Sequence, residues 1–447
     1  MLLQSTYALV DLYWVQKLGT AEVAALSISL QAFFIILALA QMVAVTAQAR
    51  ISKNYGSGQL MIARSYFSSF LLVSTLLGII AAASAYLCAE PYVRFFAPNP
   101  SDFELGSIKH EDAEAVIEQG LIYFKINAIT FCTQLVIIVI GNAFRGSGDF
   151  LTPVKLMIAA VIINLVLDPL LIFGLAGLPE MGLAGAAWAT VLAQVFVLIG
   201  YIFILARPPR DEREIRLGIP IMSRDFLVHL VQKGLPVGIQ FSLLPIFLGL
   251  ILYAMKPWGA DWTATAGAGF RVLQQTLLPM VALGHASAAI AGQSFGAGSI
   301  DRVRQTSWTA TRWMLVYGLI ATLILFFAGR DLGRIFASDS DGLDLAQIYY
   351  WWSAPTVLAF SLSFVPSSVL QALSRPGLPL IAALARIIAL TILILGVLPH
   401  FGLGPRWVFG AASATTFIEG GLGTWFMWIH LRTLDRQFAT ADGATTS

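Results

Sequence analysis

Leu156-Met-Ile-Ala-Ala-Val-Ile-Ile-Asn164-Leu-Val-Leu-Asp168-Pro-Leu-Leu-Ile-Phe173 is an apolar run with a single ionisable side chain in it. Its length fits a helix that crosses a bilayer, which takes about 20 residues. A carboxylate at the centre of such a helix costs about 2.5–3.5 kcal/mol on insertion scales, so Asp168 reads as functional. Asn164 stands four positions earlier. Residues at i and i+4 share a helical face, so amide and carboxylate point into one cavity. Pro169 follows and frees a backbone carbonyl nearby, which favours a kink beside the acid. The run implies a polytopic membrane protein with an ion site buried inside it.

The rest of the chain agrees. Of 447 residues 57% are hydrophobic and only 12% charged, a balance foreign to soluble domains of this size. Apolar segments recur at roughly 1–17, 22–50, 65–89, 117–142, 152–174, 182–206, 232–255, 263–292, 306–328, 346–371, 379–400 and 407–430, so the expected fold is all-α with twelve transmembrane helices. Only ten residues precede Asp11, which fits either a short, truncated first helix or a start assigned too late. The two cysteines, Cys88 and Cys132, have no metal-ligand spacing and read as small core residues. No cleavable signal peptide is evident.

Lys and Arg orient the helices. Placing both termini and the even-to-odd connections in the cytoplasm puts 18 of the 27 Lys and Arg on that side. The stretch Arg207–Phe226 supplies much of this excess and divides the chain nearly in half. It predicts a solvated tether over 207–231, between an N-terminal six-helix bundle (1–206) and a C-terminal one (232–430), with a cytoplasmic tail from 431 to 447.

The halves repeat. Tyr55-Gly-Ser-Gly58 returns as Phe295-Gly-Ala-Gly298, Asn142-Ala-Phe as Gln371-Ala-Leu, and Gly185-Ala-Ala-Trp-Ala-Thr190 as Gly410-Ala-Ala-Ser-Ala-Thr415. Each match is weak alone, but the three are collinear. Six spans per repeat is an even number, so both halves insert the same way round, related by an axis along the membrane normal.

Two carboxylates close together share protons, and amide and hydroxyl oxygens beside them complete a cage for a hard cation. Asp168 offers one such carboxylate, and Asn164 an amide oxygen beside it. H⁺ and Na⁺ suit the set equally. His285, alone in an apolar span, reads as a packed, hydrogen-bonded histidine rather than a proton relay. Glu419 has the same standing, with Gly420, Gly421 and Gly423 beside it for close helix packing. Arg271 and Arg386 read as residues that snorkel or pair. Gln31, Phe33, Phe34, Gln41, Gln240, Phe241 and Gln274, together with His285, are candidates for the wall of a substrate cavity.

Together these motifs resemble the multidrug and toxic compound extrusion (MATE) transporters over essentially the whole chain. The resemblance rests on Leu9-Val-Asp11, Phe144-Arg-Gly-Ser-Gly-Asp149 with Pro153, the run Asn164–Gly174, Gly182–Thr190 and Gly292–Gly298. It implies two six-helix bundles forming a V, alternating access, and export of organic, often cationic and aromatic compounds driven by Na⁺ or H⁺. One branch of that family has its coupling site in the N-terminal bundle. Matched by motif, the site falls on Asp11, Asn142, Asn164, Asp168 and Thr190, and, less directly, on Tyr123. Another branch uses acids in its seventh and tenth spans, and neither Gly234–Tyr253 nor Trp351–Gln371 contains one.

Other classes fit less well. A lipid-linked sugar flippase of the same superfamily needs a more cationic cleft. An intramembrane prenyltransferase needs clustered acidic metal motifs. No Gly-x-x-x-x-Gly-Lys-Ser/Thr loop is present for ATP. The expected protein is a non-enzyme of the bacterial inner membrane. It works as a monomer on small organic substrates among membrane lipids, with no cofactor beyond its coupling ion and no nucleic acid.

Overall fold

Asp149 starts the helix that carries the acid. In the computed structural model its Oδ1 accepts hydrogen bonds from the N–H groups of Leu151 (3.1 Å) and Thr152 (2.9 Å), and its Oδ2 from the Thr152 hydroxyl (2.6 Å). First-turn N–H groups have no partner within their own helix, and a carboxylate there satisfies them. Pro153 falls in the same turn, where its missing N–H costs nothing. The helix then runs to Ile172 with Pro169 near its end.

The structure describes residues 13–96, 110–209, 211–335 and 340–445. In the first half the helices are α1 (Thr20–Gly56), α2 (Leu60–Leu87), α3 (Ala89–Phe96), α4 (His110–Ser147), α5 (Leu151–Ile172) and α6 (Gly182–Ala206). In the second half they are α7 (Arg224–Met255), α8 (Ala260–Gly296), α9 (Ile300–Phe327), α10 (Gly329–Gly333), α11 (Ser340–Ser353), α12 (Pro355–Ala372), α13 (Gly377–Ile392) and α14 (Arg406–Thr445). A π-helical turn, Leu393–Val397, continues α13. No strand occurs among the described residues.

Nine described helical segments are long and apolar enough to cross a membrane. They take in α1, α2, α4, α5, α6, α7, α9, the pair α11–α12, and α13 with its continuation. Helices α8 and α14 are longer than most, at 37 and 40 residues, and occupy the expected eighth and twelfth places with more polar sequences. The all-helical, polytopic expectation therefore holds. Most of the first expected span, including Asp11, lies outside the described residues.

The chain divides into two compact units. The leading unit comprises residues 2–47 and 60–227, and in it α4 packs against α2 and α6, with α5 on α6. The trailing unit comprises 48–59 and 228–447 and is built around α12, which packs against α8, α9 and α14.

The segment 211–223 is mostly exposed, as a solvated tether would be, but it is docked on α2. Arg64 Nη2 donates to the carbonyls of Glu212 (2.6 Å) and Glu214 (3.3 Å). Ser68 Oγ accepts from the Gly218 N–H at 2.9 Å, and Ser69 Oγ from the Ile221 N–H at 2.7 Å. Phe226 then packs against the rings of Tyr66 and Phe70. An extended backbone needs partners for its N–H and C=O groups, and Arg64, Ser68 and Ser69 on α2 supply them.

The repeats are structural. The turn after α1 closes through Gly58 N–H to Tyr55 O and Gln59 N–H to Asn54 O; the turn after α8 closes through Gly298 N–H to Phe295 O and Ser299 N–H to Ser294 O. These turns are 240 positions apart (Gly58 to Gly298). The turn after α4 closes through Gly148 N–H to Arg145 O and Asp149 N–H to Phe144 O, and the turn after α12 through Ser374 N–H to Gln371 O and Arg375 N–H to Leu370 O. That match is 226 positions (Gly148 to Ser374), so Gln371 is the counterpart of Arg145, not of Asn142. The glycines of the first repeat also meet in the trailing unit. A Cβ on Gly56 would strike the Gln293 backbone, and one on Gly296 the Lys53 backbone.

Candidate functional site

Asp168 and Asn164 are held together on α5. Asn164 Nδ2 donates to Asp168 Oδ1 at 3.1 Å, and the two residues are 1% and 0% exposed respectively. The bond follows from the i,i+4 spacing on a regular helix. Asn164 Oδ1 has no hydrogen-bond partner among the described residues. A buried polar oxygen without a partner is costly, and here it stands beside a buried carboxylate.

Helix α6 sets the level of Thr190. The Met181 N–H bonds to Leu171 O at 3.0 Å, and Gly185 touches the Leu171–Ile172 backbone so closely that a Cβ would overlap it. The two helices run antiparallel from this point, so one turn back along α5 and one turn forward along α6 bring Asp168 level with Thr190. Tyr123 of α4 is buried with Ile172, Leu183, Ala186 and Ala187 in one apolar cluster, a turn or more beyond Asp168 along α5. Val15 belongs to that cluster, and the Trp14 ring meets Phe173 edge-on at 6.0 Å. The chain that follows Asp11 is therefore seated at the end of α5; Asp11 itself lies outside the described residues.

Asn142 does not join this group. It is buried, and its Nδ2 donates to Ile138 O at 2.9 Å. It stands five residues before the end of α4, whereas Asp168 stands seventeen residues after the start of α5. Both helices leave the same short turn. At 1.5 Å of rise per residue, the two side chains are separated by about 18 Å along the helix axes. Tyr123 and Asn142, nineteen residues apart on one helix, are separated by about 28 Å. Their spacing excludes Asn142 from any cage built on Asp168 and Tyr123.

The expected cavity residues fall in both units. Gln41 is buried in the leading unit, where the half-buried Phe34 and exposed Phe33 lie edge to face with centroids 6.5 Å apart. The side chain of Gln31 is outside the description. In the trailing unit Gln240 Oε1 accepts from Gln371 Nε2 at 2.9 Å, and Phe241 and Gln274 are half-buried. His285 is fixed to Gln48: Gln48 Nε2 donates to the His285 carbonyl at 2.9 Å, and His285 Nδ1 lies 3.2 Å from Gln48 Oε1. Because an amide oxygen only accepts, Nδ1 carries the ring proton in this contact.

Sequence reading missed one buried pair. Arg386 Nη1 of α13 lies 3.0 Å from Glu419 Oε2 of α14, and the residues are 3% and 4% exposed. The two are 33 positions apart in sequence, so each appears there as a lone charge. A signal was present, since intramembrane charges pair with one another by default. No group of three or more metal-ligating His, Cys, Asp or Glu side chains occurs among the described residues.

A family model described as MatE matches residues 1–170 and 236–396, well over half of the chain. Among curated proteins, the chain is 25% identical over 417 residues to the FAD transporter of Shewanella oneidensis, covering 93% of this chain and 88% of that one. It is 23% identical over 403 residues to the probable multidrug resistance protein YoeA of Bacillus subtilis, covering 89% and 84%. Among solved structures, a MATE transporter in its straight conformation superposes with a TM-score of 0.85 at 19% identity, covering 98% of this chain and 94% of that one. A MOP superfamily transporter from Pyrococcus furiosus superposes with a TM-score of 0.84 at 18% identity, covering 97% and 93%.

Proposed function

The chain belongs to the MatE family, and from that membership we propose that it is a secondary antiporter exporting organic compounds, cationic and aromatic ones among them, in exchange for H⁺ or Na⁺. The observation that carries the coupling is the Asn164–Asp168 pair, bonded at 3.1 Å inside a membrane-spanning helix. Asp168 binds the ion. Asn164 orients its carboxylate and offers a second oxygen, with Thr190 at the same level, Tyr123 in the apolar cluster beyond it and Asp11 as the second acid. Relatives named for multidrug resistance and multidrug export support efflux as the direction of transport. The relative named for FAD brings flavin nucleotides into the compounds worth trying.

The driving force is adequate. One unit of pH difference supplies about 1.4 kcal/mol per proton, and 100 mV adds about 2.3 kcal/mol per charge moved. The ion drives export only by favouring one arrangement of the leading unit over another. Pro153 and Pro169, at the two ends of α5, are its hinges. The protein acts as a monomer in a bacterial plasma membrane with both termini cytoplasmic, and it needs no cofactor beyond the coupling ion.

Substrate efflux from proteoliposomes, measured under an imposed Na⁺ gradient alone and then under a pH gradient alone, tests this reading. Efflux under one gradient and not the other identifies the ion. Efflux that needs neither gradient, or that survives unchanged in D168N, ends the coupling assignment.

A further inference from the structure

Arg386 and Glu419 sit where the second half of the chain has no counterpart of the Asn164–Asp168 pair. At the 226-position offset of the α4 and α12 turns, Asn164 falls on Leu390 and Asp168 on Ile394, both apolar and buried. In the other direction Arg386 falls on Ala160. Counting by the 225 positions that separate Gly185 from Gly410, Glu419 falls on Gln194, a neutral amide whose Oε1 accepts from Thr133 Oγ1 at 2.6 Å. The charged pair therefore belongs to the second repeat alone. Its cost in a membrane interior goes to something other than the shared fold.

The contact is an odd one for a structural brace. Arg–carboxylate pairs that hold structures together are commonly bidentate and fully hydrogen-bonded. Here one nitrogen meets one oxygen at 3.0 Å, and Nη1, Nε and Glu419 Oε2 all lack a hydrogen bond of good geometry among the described residues. The guanidinium instead lies over two aromatic faces, 4.6 Å from the centroid of Phe247 and 5.2 Å from that of Phe360. Those rings are set edge to face, 6.5 Å apart. Arg386 thus contacts a carboxylate and a pair of ring faces at once, and those faces attract a desolvated cation.

We propose that Arg386 and Glu419 form a proton-operated latch in the trailing unit, in which proton uptake by the Glu419 carboxylate breaks the ion pair and leaves Arg386 held by Phe247 and Phe360 alone. The proton comes from a hydronium ion, whose O–H bond breaks to leave water as the carboxyl O–H bond forms, taking the local charge from zero to one positive. The ligand is H⁺ rather than a metal ion, because a proton needs one carboxylate oxygen whereas a hard cation takes several oxygen ligands, and no group of three or more metal-ligating acids, histidines or cysteines occurs among the described residues. Neutralising Glu419 loosens α13 from α14 at a point where α14 already presses on α12: a Cβ on Gly420 would strike Ala359 O and Leu362 Cβ.

No other charge competes at the pair. The helices packed on α14 are α9, α11, α12 and α13. Helix α12 has no ionisable residue, and α13 has only Arg386. The acids Asp301 of α9 and Asp344 of α11 are paired with Arg304 and Arg330. Asp341, Tyr349 and Tyr350 of α11 and Arg302, Arg312 and Tyr317 of α9 make no ion pair with either residue among those described. On α14 itself, His430 is eleven residues on, about 16 Å along the axis, with Arg432, Asp435 and Arg436 beyond it; Arg406 is thirteen residues back. On α7, which supplies Phe247, the charges are Arg224, Asp225, His229 and Lys233, the last fourteen residues before the ring.

Infrared difference spectra of the purified full-length protein, taken through an acid titration with and without ¹³C-glutamate labelling, test the latch. A protonated carboxyl in apolar surroundings has a carbonyl stretch apart from those of solvated carboxyls, and Glu419 is the one buried glutamate among the described residues. The expected result is one band that moves on glutamate labelling, is lost in E419Q, and persists in D168N. Superimposable labelled spectra of wild type and E419Q would mean a permanently ionised brace and overturn the latch. Should E419Q not fold, the labelled wild-type spectrum decides alone, since absence of a shifted apolar-site band has the same meaning. The latch is independent of the Asp168 assignment: D168N retains the glutamate band whether or not Asp168 couples transport.

Discussion

Asn164 donates to Asp168 across a single turn of α5 at 3.1 Å, and both side chains are buried in a helix long and apolar enough to span a bilayer. Asp168 is therefore the group whose ionisation the leading unit must accommodate. Replacing it by asparagine keeps the volume and removes the charge. D168N is expected to reach near-normal protein levels and to lose gradient-driven efflux by at least tenfold in everted vesicles. Full efflux from that variant would remove Asp168 from the mechanism.

The two asparagines separate a coupling role from a packing role. N164A takes away the donor to Asp168 and an oxygen beside it, so the ion dependence of efflux should shift by several-fold in H⁺ or Na⁺ concentration. N142A acts about 18 Å away along the helix axes and should leave that dependence unchanged. It loses its bond to Ile138 O and a little stability. Matched shifts in both variants, read from efflux rate against ion concentration, would show that the two residues share one site after all.

Much of this was legible before the structure, and the exceptions have physical causes. Apolar runs announce spans because a bilayer demands them, and the long helices fall where those runs lie, with the short α3 and α10 between them. The Asn164–Asp168 contact was legible because helical spacing alone fixes it. The misplacement of Asn142 came from matching residue types without counting rise from the Gly148 turn, five residues back against seventeen forward. The docking of 211–223 on α2 was hidden because its bonds use main-chain groups, which every sequence carries. Arg386 and Glu419 were each visible, but their partnership depends on how α13 meets α14.

Gly56 meets the backbone of Gln293, and a backbone cannot swing aside as a side chain can. G56A should lower stability by about 1–3 kcal/mol, the usual cost of overpacking. G421A is the control, because nothing lies within 4 Å of the added carbon and alanine favours a helix by about 1 kcal/mol over glycine. Thermal midpoints in detergent should fall for G56A and hold or rise for G421A. Equal midpoints would mean that the α1–α8 crossing has room the structure does not show.

Ser69 is fully buried and serves the docked segment twice, accepting from the Ile221 N–H at 2.7 Å and lying 3.0 Å from the Ile221 carbonyl. S69A leaves that N–H without its partner, a loss of about 1–3 kcal/mol where no water replaces it. The effect should be local. Limited proteolysis should cut S69A within 211–223 several-fold faster than wild type, while the global unfolding midpoint moves little. Unchanged cleavage would place the segment's anchorage elsewhere.

His285 is the histidine most open to being mistaken for a proton relay, since it stands alone in an apolar helix. Its ring and its carbonyl are both engaged by one side chain, Gln48, through contacts of 3.2 and 2.9 Å. That geometry assigns the Nδ1 proton to a fixed bond and makes the residue a clasp between the end of α1 and α8. H285N, which keeps a side-chain donor at a similar reach, should retain the pH profile of efflux with at most a twofold loss of rate. Q48A should destabilise the trailing unit and leave that profile where it was. A displaced pH profile in H285N with intact stability would instead put the imidazole on the proton's route.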